Sequence, residues 1–232
     1  MTTHRFFVEP AGMTGERFAI PTAIERQVRS VLRLGDGDRI VLLAGDGTET
    51  VCRLEAGACV VEGRRDVVSE PRHRLTVVQA LLKGDALEDV VQHATELGVA
   101  AFRLVVTERC VAREISPRRL DRLRAIARES AEQSERGVIP TVAGPSPLSE
   151  AMSAGSVLLY ERHAGPGLDE LARRQPPGAV IIGPEGGFSR AEVDAASLAG
   201  ARVAGLGSRI LRSQTVAAAA AAVILSRTGD FA

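Results

Sequence analysis

The sequence predicts an α/β protein in which a small β-rich domain precedes a larger domain built on a parallel sheet. From residue 75 onwards, apolar segments of strand length alternate with amphipathic segments of helix length. That alternation is typical of a mostly parallel sheet covered by helices on both faces. Before residue 70, short apolar runs are separated by Gly and Asp, which is typical of a small barrel. We therefore expect two domains, at 1–70 and 71–232.

The amino-terminal domain is predicted from a hairpin and one helix. Apolar runs at 39–43 and 50–54 flank the segment Ala44-Gly45-Asp46-Gly47, and an Asp-Gly between two such runs predicts a hairpin. Residues 22–33 have the pattern of a helix that would cap or plug the barrel. The polar stretch 68–73 contains a proline and is the predicted linker.

The larger domain is predicted as five strands that alternate with five helices. Its first helix opens at Asp85, with Glu88 three residues later as a capping box, and ends at Gly98. The dipeptide Ser116-Pro117 predicts the start of a long helix, and Ser189 begins a second capping box. The predicted strands are 75–82, 102–106, 156–160, 179–183 and 201–206, and the later helices are 168–174, 189–199 and 215–226.

Composition excludes several classes of protein. The formal net charge is zero, so a nucleic-acid site would have to be a local basic face. Three cysteines are an odd and sparse set, which argues for a reducing compartment rather than a disulfide framework. No metal-binding motif occurs, and we expect no metal. The amino terminus lacks the apolar core of a signal peptide, and VAAAAAAVIL is too short to span a bilayer, so we expect a soluble cytoplasmic protein.

Two glycine-bearing loops, each directly after an apolar strand, are the strongest candidates for a ligand site. The first is Gly183-Pro184-Glu185-Gly186-Gly187, and the second is Gly205-Leu206-Gly207, which continues into Arg209-Ile210-Leu211-Arg212. Loops at the carboxyl ends of strands are where α/β proteins bind ligands, and glycine lets the backbone approach a ligand closely. Neither loop matches a dinucleotide or phosphate-binding motif. A pair of tight structural turns is the alternative.

The charged and small residues near these loops each allow two interpretations. Arg209 and Arg212 lie in an otherwise apolar loop and need a partner, which could be Glu185 or an anionic ligand. The run Ala217–Ala222 could pack closely in the core or form a subunit interface. Residues 109–136 hold eight Arg against five acidic residues, which suits either a solvated helix face or a surface for phosphates.

Several motifs taken together resemble the RsmE family of 16S ribosomal RNA (uracil-N3)-methyltransferases, which belong to the SPOUT superfamily. They are HRFFVEP, VLRLGDGDRI, LLKGDALEDVVQHATELGV, ESAEQSERGVIP, IIGPEGGFSRAEV and LGSRILRSQTVAAAAA, and they cover essentially the whole chain. The resemblance implies a PUA-like β-barrel at the amino terminus, a SPOUT-type methyltransferase domain with a deep trefoil knot, a homodimer, and S-adenosylmethionine as methyl donor.

The resemblance also implies a set of site residues. The knot loops would hold the cofactor through Leu159, Gly183, Pro184, Glu185, Gly186, Gly187, Leu206, Gly207, Ile210, Leu211, Arg212 and Thr215. Arg212 and Glu185 are the predicted catalytic residues. For Arg212 the reason is that a guanidinium near the uracil oxygens would stabilise the anion that forms when N3 loses its proton. The predicted contacts with 16S ribosomal RNA or the 30S subunit are Arg5, Arg33, Lys83, Arg128, Gln133 and Arg136.

The sequence departs from the family pattern at two positions. The family often has a glutamate where Gln214 stands and a lysine where His93 stands. Two rival functions are a ribose 2′-O-methyltransferase of the same superfamily and an RNA-binding module without catalysis. The first typically carries Asn-x-Gly near the first helix of the methyltransferase domain, where this chain has Glu96-Leu97-Gly98.

Overall fold

The computed structural model describes residues 3–231, and the chain divides into two compact units. The first comprises the residues up to Glu70 together with Ala131–Ile139. The second comprises Pro71–Ser130 and the residues from Pro140 onwards. The short segment 131–139 therefore belongs with the amino-terminal strands, although it lies far along the chain.

The first unit is built on a five-stranded sheet in the order β1-β3-β4-β5-β2, with β1 and β2 at its edges. Strand β1 pairs in parallel with β3, and the other pairs are antiparallel. Helix α1 continues into a wider π-helical turn at Gln27–Val31, which confirms the predicted helix. The bounds are β1 His4–Phe7, β2 Arg17–Ala19, α1 Thr22–Arg26, β3 Arg39–Leu43, β4 Thr48–Glu55 and β5 Ala58–Asp66.

The predicted hairpin is confirmed between β3 and β4. Gly45 and Gly47 adopt φ values of 84° and 91°, which a residue with a side chain rarely adopts. Between them, the Asp46 carboxylate accepts hydrogen bonds from the backbone N–H of Thr48 at 2.9 Å and from its hydroxyl at 2.7 Å. These hydrogen bonds hold the pKa of Asp46 below its ordinary value. The turn is thus specified by its own residues.

The second unit is built on a six-stranded parallel sheet in the order β11-β9-β10-β6-β7-β8. Together with its helices, it confirms the α/β class and the predicted alternation. Helix α6 packs against α2, α4 and β10. The bounds are β6 Thr76–Ala80, α2 Ala86–Glu96, β7 Ala101–Val106, α3 Pro117–Gln133, β8 Thr141–Pro147, β9 Ser156–Leu159, α4 Leu168–Arg174, β10 Ala179–Ile182, α5 Arg190–Leu198, β11 Arg202–Ala204 and α6 Ser213–Arg227.

Of the two predicted capping boxes, one is confirmed and one is wrong. At the start of α5, Ser189 accepts from the backbone N–H of Glu192, and the Glu192 carboxylate accepts from the Ser189 N–H. At the start of α2, the Asp85 side chain makes no capping hydrogen bond. Glu88 instead accepts from the Arg119 guanidinium at 3.0 Å. The Glu88 carboxylate, which the local pattern predicts as part of the cap, thus pairs with an arginine of helix α3 instead.

Strand β8 was not predicted, because Thr141–Pro147 contains two prolines, at 145 and 147. Proline cannot donate to a hydrogen-bond ladder and is therefore rare in central strands. The structure places β8 at the edge of the sheet, where it pairs only with β7. An edge strand needs only one ladder, so the prolines are tolerated there.

Candidate active site

The candidate site is a cavity at the carboxyl ends of β9, β10 and β11. These strands are adjacent and parallel, so the segments that follow them meet at one edge of the sheet. The cavity has a volume of about 660 Å³. Its lining comprises Leu159–Arg162, Ile182–Phe188, Leu206, Gly207, Arg209–Gln214 and Val216.

The structure brings all but one of the predicted cofactor-binding residues to this cavity. Leu159 lies at the end of β9, and the segment 183–187 forms the loop after β10. Residues 206, 207 and 210–212 form the loop after β11. Thr215 is outside the lining: it lies exposed in the first turn of α6, where its backbone N–H donates to the Arg212 carbonyl. Its neighbours Gln214 and Val216 contact the cavity instead.

Two of the lining glycines have backbone conformations that residues with a side chain rarely adopt. Gly187 has a φ of 65°, and a Cβ built on it would lie 3.2 and 3.4 Å from the two carboxylate oxygens of Glu161. Gly207 has a φ of 86°, but a Cβ there would meet no atom within 4 Å. Both positions therefore favour glycine because of their backbone conformation, and at Gly187 the Glu161 side chain would also have to shift to admit a Cβ.

A buried hydrogen-bond network ties the two loops together, and sequence reasoning missed it. The Ser213 hydroxyl donates to the Gly183 carbonyl at 2.6 Å. Gln79, which is fully buried in β6, donates its side-chain N–H to the Ser213 hydroxyl at 3.0 Å. The network therefore joins the first turn of α6 to the loop after β10. The signal was an amide side chain within the apolar run TVVQALL, since a buried amide must find partners.

Glu185 and the two arginines of the second loop do not form the ion pair that was one interpretation of their spacing. Within residues 3–231, Arg209 and Arg212 make no salt bridge, and both are exposed along the cavity wall. Glu185 uses Oε1 to accept from the backbone N–H of Lys83 at 3.0 Å. The two guanidinium groups thus have their hydrogen-bonding capacity free for a ligand in the cavity.

The outer side of the first loop is held by residues from the neighbouring strand connection. Arg109 donates from Nη1 to the Gly186 carbonyl at 3.0 Å. The Glu192 carboxylate accepts from the Glu108 backbone N–H at 2.7 Å. Arg109 belongs to the Arg-rich segment 109–136, so at least this member of the segment has a structural contact with the loop.

The predicted RNA-binding residues fall into two arginines that form ion pairs within the first unit and four residues that are exposed. Arg5 has 11% of its side chain exposed and forms ion pairs with Glu49 and with Glu135, the latter at 2.9 Å. Arg136 is 3% exposed and forms an ion pair with Glu70 at 3.0 Å. The exposed residues are Arg33, Lys83, Arg128 and Gln133.

Glu49 is the centre of the charge cluster around Arg5. Its side chain is 4% exposed and lies against the guanidinium groups of Arg5 and Arg65. Burial raises its pKa, but the hydrogen bonds and charges of the two arginines outweigh burial and hold the pKa below its ordinary value. The cluster therefore needs an ionised Glu49, and this ties the first unit's stability to pH.

Comparison with known proteins identifies the family. A family model described as an RNA methyltransferase domain matches residues 69–225. The ribosomal RNA small subunit methyltransferase E of Synechocystis is 32% identical over 95% of this chain and 77% of its own length. The chain belongs to the ribosomal RNA small subunit methyltransferase E family. The family protein of Bacillus subtilis is 29% identical, over 91% of each chain, and that of Mycobacterium bovis is 32% identical, over 95% of this chain and 90% of its own.

Solved structures extend this family relationship to the fold. The family protein of Neisseria gonorrhoeae, solved bound to S-adenosyl methionine, superposes with a TM-score of 0.85 at 28% identity. A protein of Legionella pneumophila, solved with bound cofactor SAM, superposes with a TM-score of 0.83 at 28% identity. Each match covers 97% of this chain and 98% of the other. The expected RsmE family membership is thus confirmed.

The described residues were also compared with the requirements of a metal site and of a membrane-spanning helix. Across residues 3–231, no three His, Cys, Asp or Glu side chains come together in a way that could hold a metal ion. None of the helices in that range has the length and apolar character needed to cross a bilayer.

Proposed function

We propose that the protein transfers a methyl group from S-adenosylmethionine to N3 of a uridine in 16S ribosomal RNA. The observation that carries the proposal is the cavity itself. It is formed by the loops where the family resemblance put the cofactor, and it is lined by two arginines whose side chains have no partner among residues 3–231. Family membership and the S-adenosyl methionine carried by the Neisseria gonorrhoeae relative support the same reaction.

The cavity suits this cofactor. Its volume of about 660 Å³ lies in the range of small-molecule sites, which is roughly 300–1,000 Å³. Apolar side chains from 159, 182, 206, 210 and 211 offer a surface for the adenine ring, and the glycines at 183, 186 and 187 let the cofactor come close to the backbone. When bound, the cofactor supplies an electrophilic methyl group.

The chain's own residues would then prepare the uracil. Nitrogen N3 carries a proton and must lose it, at least partly, before it can accept a methyl group. The Arg212 guanidinium lines the cavity and has no ion-pair partner within residues 3–231, so it can donate to a uracil oxygen and stabilise the developing anion. Glu185 lies on the opposite loop, and its Oε2 accepts no hydrogen bond from the described residues. This oxygen can therefore accept a hydrogen bond from the N3–H of the uracil.

The RNA would be held by basic and polar residues on both units. Arg33 and Gln133 are exposed on the first unit, and Lys83 and Arg128 on the second. Arg5 and Arg136 are committed to ion pairs within the first unit, so their part in RNA binding is to hold the surrounding backbone in place. Affinity that rests on phosphate contacts falls as salt rises.

The proposed architecture has two domains, at 1–70 and 71–232, in a cytoplasmic homodimer. The first is a PUA-like barrel, an inference from the five-stranded sheet and the family. The second carries the SPOUT trefoil knot, an inference supported by β9 lying between β10 and β11 and by the bond from Ser213 to Gly183. The half-buried alanines 218, 219 and 222 on α6 would form the dimer contact.

The test is methyl transfer from labelled S-adenosylmethionine to 30S particles from cells that lack this modification. We expect label in 16S ribosomal RNA, on N3 of a uridine after nuclease digestion and mass spectrometry. Label on a ribose hydroxyl would replace the proposal with 2′-O methylation. RNA binding without any incorporated label would leave a binding module as the function.

A further inference from the structure

A second concavity in the larger unit lies beside the starts of α2 and α3. It has a volume of about 490 Å³. Its lining comprises Gly84, Asp85, Glu88, Ser116, Arg118, Arg119 and Arg122, and it is called the arginine groove below. Its three arginines belong to the segment 109–136, which could serve either as a solvated helix face or as a surface for phosphates, and the mechanism above does not use them.

Arg119 holds the two sides of the groove together through hydrogen bonds. Arg119 donates to both oxygens of Glu88, at 3.4 and 3.0 Å, and also donates to the Gly84 carbonyl. Its own backbone N–H donates to the Ser116 hydroxyl at 3.3 Å. Arg119 therefore joins the start of α3 to the start of α2, and its charge is largely neutralised by Glu88.

The other two arginines are free of such contacts. Arg118 and Arg122 are four residues apart on α3, so they lie on one face of the helix. Both are exposed, and neither guanidinium forms a hydrogen bond or ion pair with any residue from 3 to 231. Asp85 is the one carboxylate in the lining left to oppose them once Glu88 is paired with Arg119. The free charge of the groove is therefore positive.

The arginine groove is adjacent to the cofactor cavity along the same sheet edge. Strand β6 lies between β10 and β7, and the segments after β6 and β7 lead to α2 and α3. Because these strands are parallel, the groove and the cavity open at the same edge. Lys83, directly before Gly84 of the groove, donates its backbone N–H to Glu185 of the cavity at 3.0 Å. One strand of RNA could therefore contact both.

We propose that the arginine groove binds the phosphate backbone of the substrate RNA next to the methylated uridine, through Arg118 and Arg122. Guanidinium groups suit this role because they donate to phosphate oxygens in a forked geometry and keep their charge at every physiological pH. The groove contacts would hold the RNA without reading its sequence. This inference rests on the proposed function only for the identity of the RNA.

The test compares two double variants that remove the same charge. Arg118→Ala with Arg122→Ala removes the groove cations, and Arg173→Ala with Arg174→Ala removes two exposed cations of α4 that pair with Asp169 and Glu170. Affinity for a fluorescently labelled, uridine-containing single-stranded RNA is measured by anisotropy across a salt series. S-adenosylmethionine affinity is measured by calorimetry.

We expect the groove variant to bind RNA roughly tenfold more weakly near physiological salt and to lower the slope of log affinity against log salt by about 1.4. The α4 variant should match the wild type, and cofactor affinity should be unchanged in both. Equal RNA affinity and equal slope in the groove variant and the wild type would overturn the groove. Equal losses in both double variants would also overturn it, since they would reflect net charge alone.

The same measurements separate the groove from the proposed reaction. Groove-dependent RNA binding by a wild-type protein that incorporates no methyl group would support the groove and refute the methyltransferase proposal. Full methylation, together with a salt slope that is the same in the groove variant and the wild type, would support the methyltransferase proposal and refute the groove. A variant with both arginines replaced by lysine should keep most of the slope, because lysine keeps the charge.

Discussion

Removing the Arg212 side chain should slow methyl transfer far more than it weakens cofactor binding, and it should leave the fold nearly intact. Arg212 is exposed and makes no ion pair within residues 3–231, so Arg212→Ala leaves no buried carboxylate without a partner. Exposed substitutions of this kind usually change the free energy of unfolding by less than about 0.5 kcal/mol. Loss of one electrostatic stabiliser of a developing anion typically lowers a rate by about 10²–10³-fold, or about 2.7–4 kcal/mol.

The assay is single-turnover transfer from labelled S-adenosylmethionine to 30S particles that lack the modification, with cofactor affinity measured separately by calorimetry. Arg209→Ala is the matched control, since Arg209 lines the same loop and is equally unpaired. We expect it to lower the rate much less. An unchanged rate for Arg212→Ala would refute the catalytic role. A loss of cofactor affinity as large as the loss of rate would show that Arg212 binds the cofactor and does not act in the transition state.

Three further predictions follow from the structure. Gly207→Val forces a branched side chain onto a φ of 86° beside the cavity, a strain of order 1–3 kcal/mol; calorimetry should show cofactor affinity roughly tenfold weaker or worse, with an unchanged circular dichroism spectrum. The pKa of Glu49 is lowered in the folded state, so its contribution to stability is present above its ordinary pKa of 4.5 and is lost as pH falls through the lower folded-state pKa. Glu49→Gln should destabilise the protein by about 1–3 kcal/mol at pH 7. It should also make the free energy of unfolding, measured with urea, fall less steeply as the pH is lowered. Ala219→Phe should weaken the proposed dimer in light scattering and keep the chain folded, whereas Ala220→Phe should lower the stability of the fold itself by about 1–3 kcal/mol, because Ala220 is fully buried.

Elements that depend on local pattern could be predicted from the sequence. The first helix of the larger domain, the β3–β4 hairpin and the capping box at Ser189 are all confirmed. In each case the residues that specify the structure are neighbours along the chain. The capping box at Asp85 failed because a distant residue, Arg119, competed for the Glu88 carboxylate. Strand β8 was missed because proline is tolerated only at an edge, and strand order is not a local property.

The site shows the same division. The two glycine loops could be predicted from the sequence alone, because each follows an apolar strand and contains glycines that let the backbone come close to a ligand. Tertiary structure decided how their charged residues are used. It turned Glu185 towards Lys83 and joined the start of α6 to the loop after β10 through Gln79 and Ser213. It also left Arg209 and Arg212 without an ion-pair partner in the described part of the chain. It also buried Arg136, which had been expected to face RNA, in an ion pair with Glu70. Charge and residue type can be read along a chain, but burial and the choice of partner depend on which segments the fold brings together.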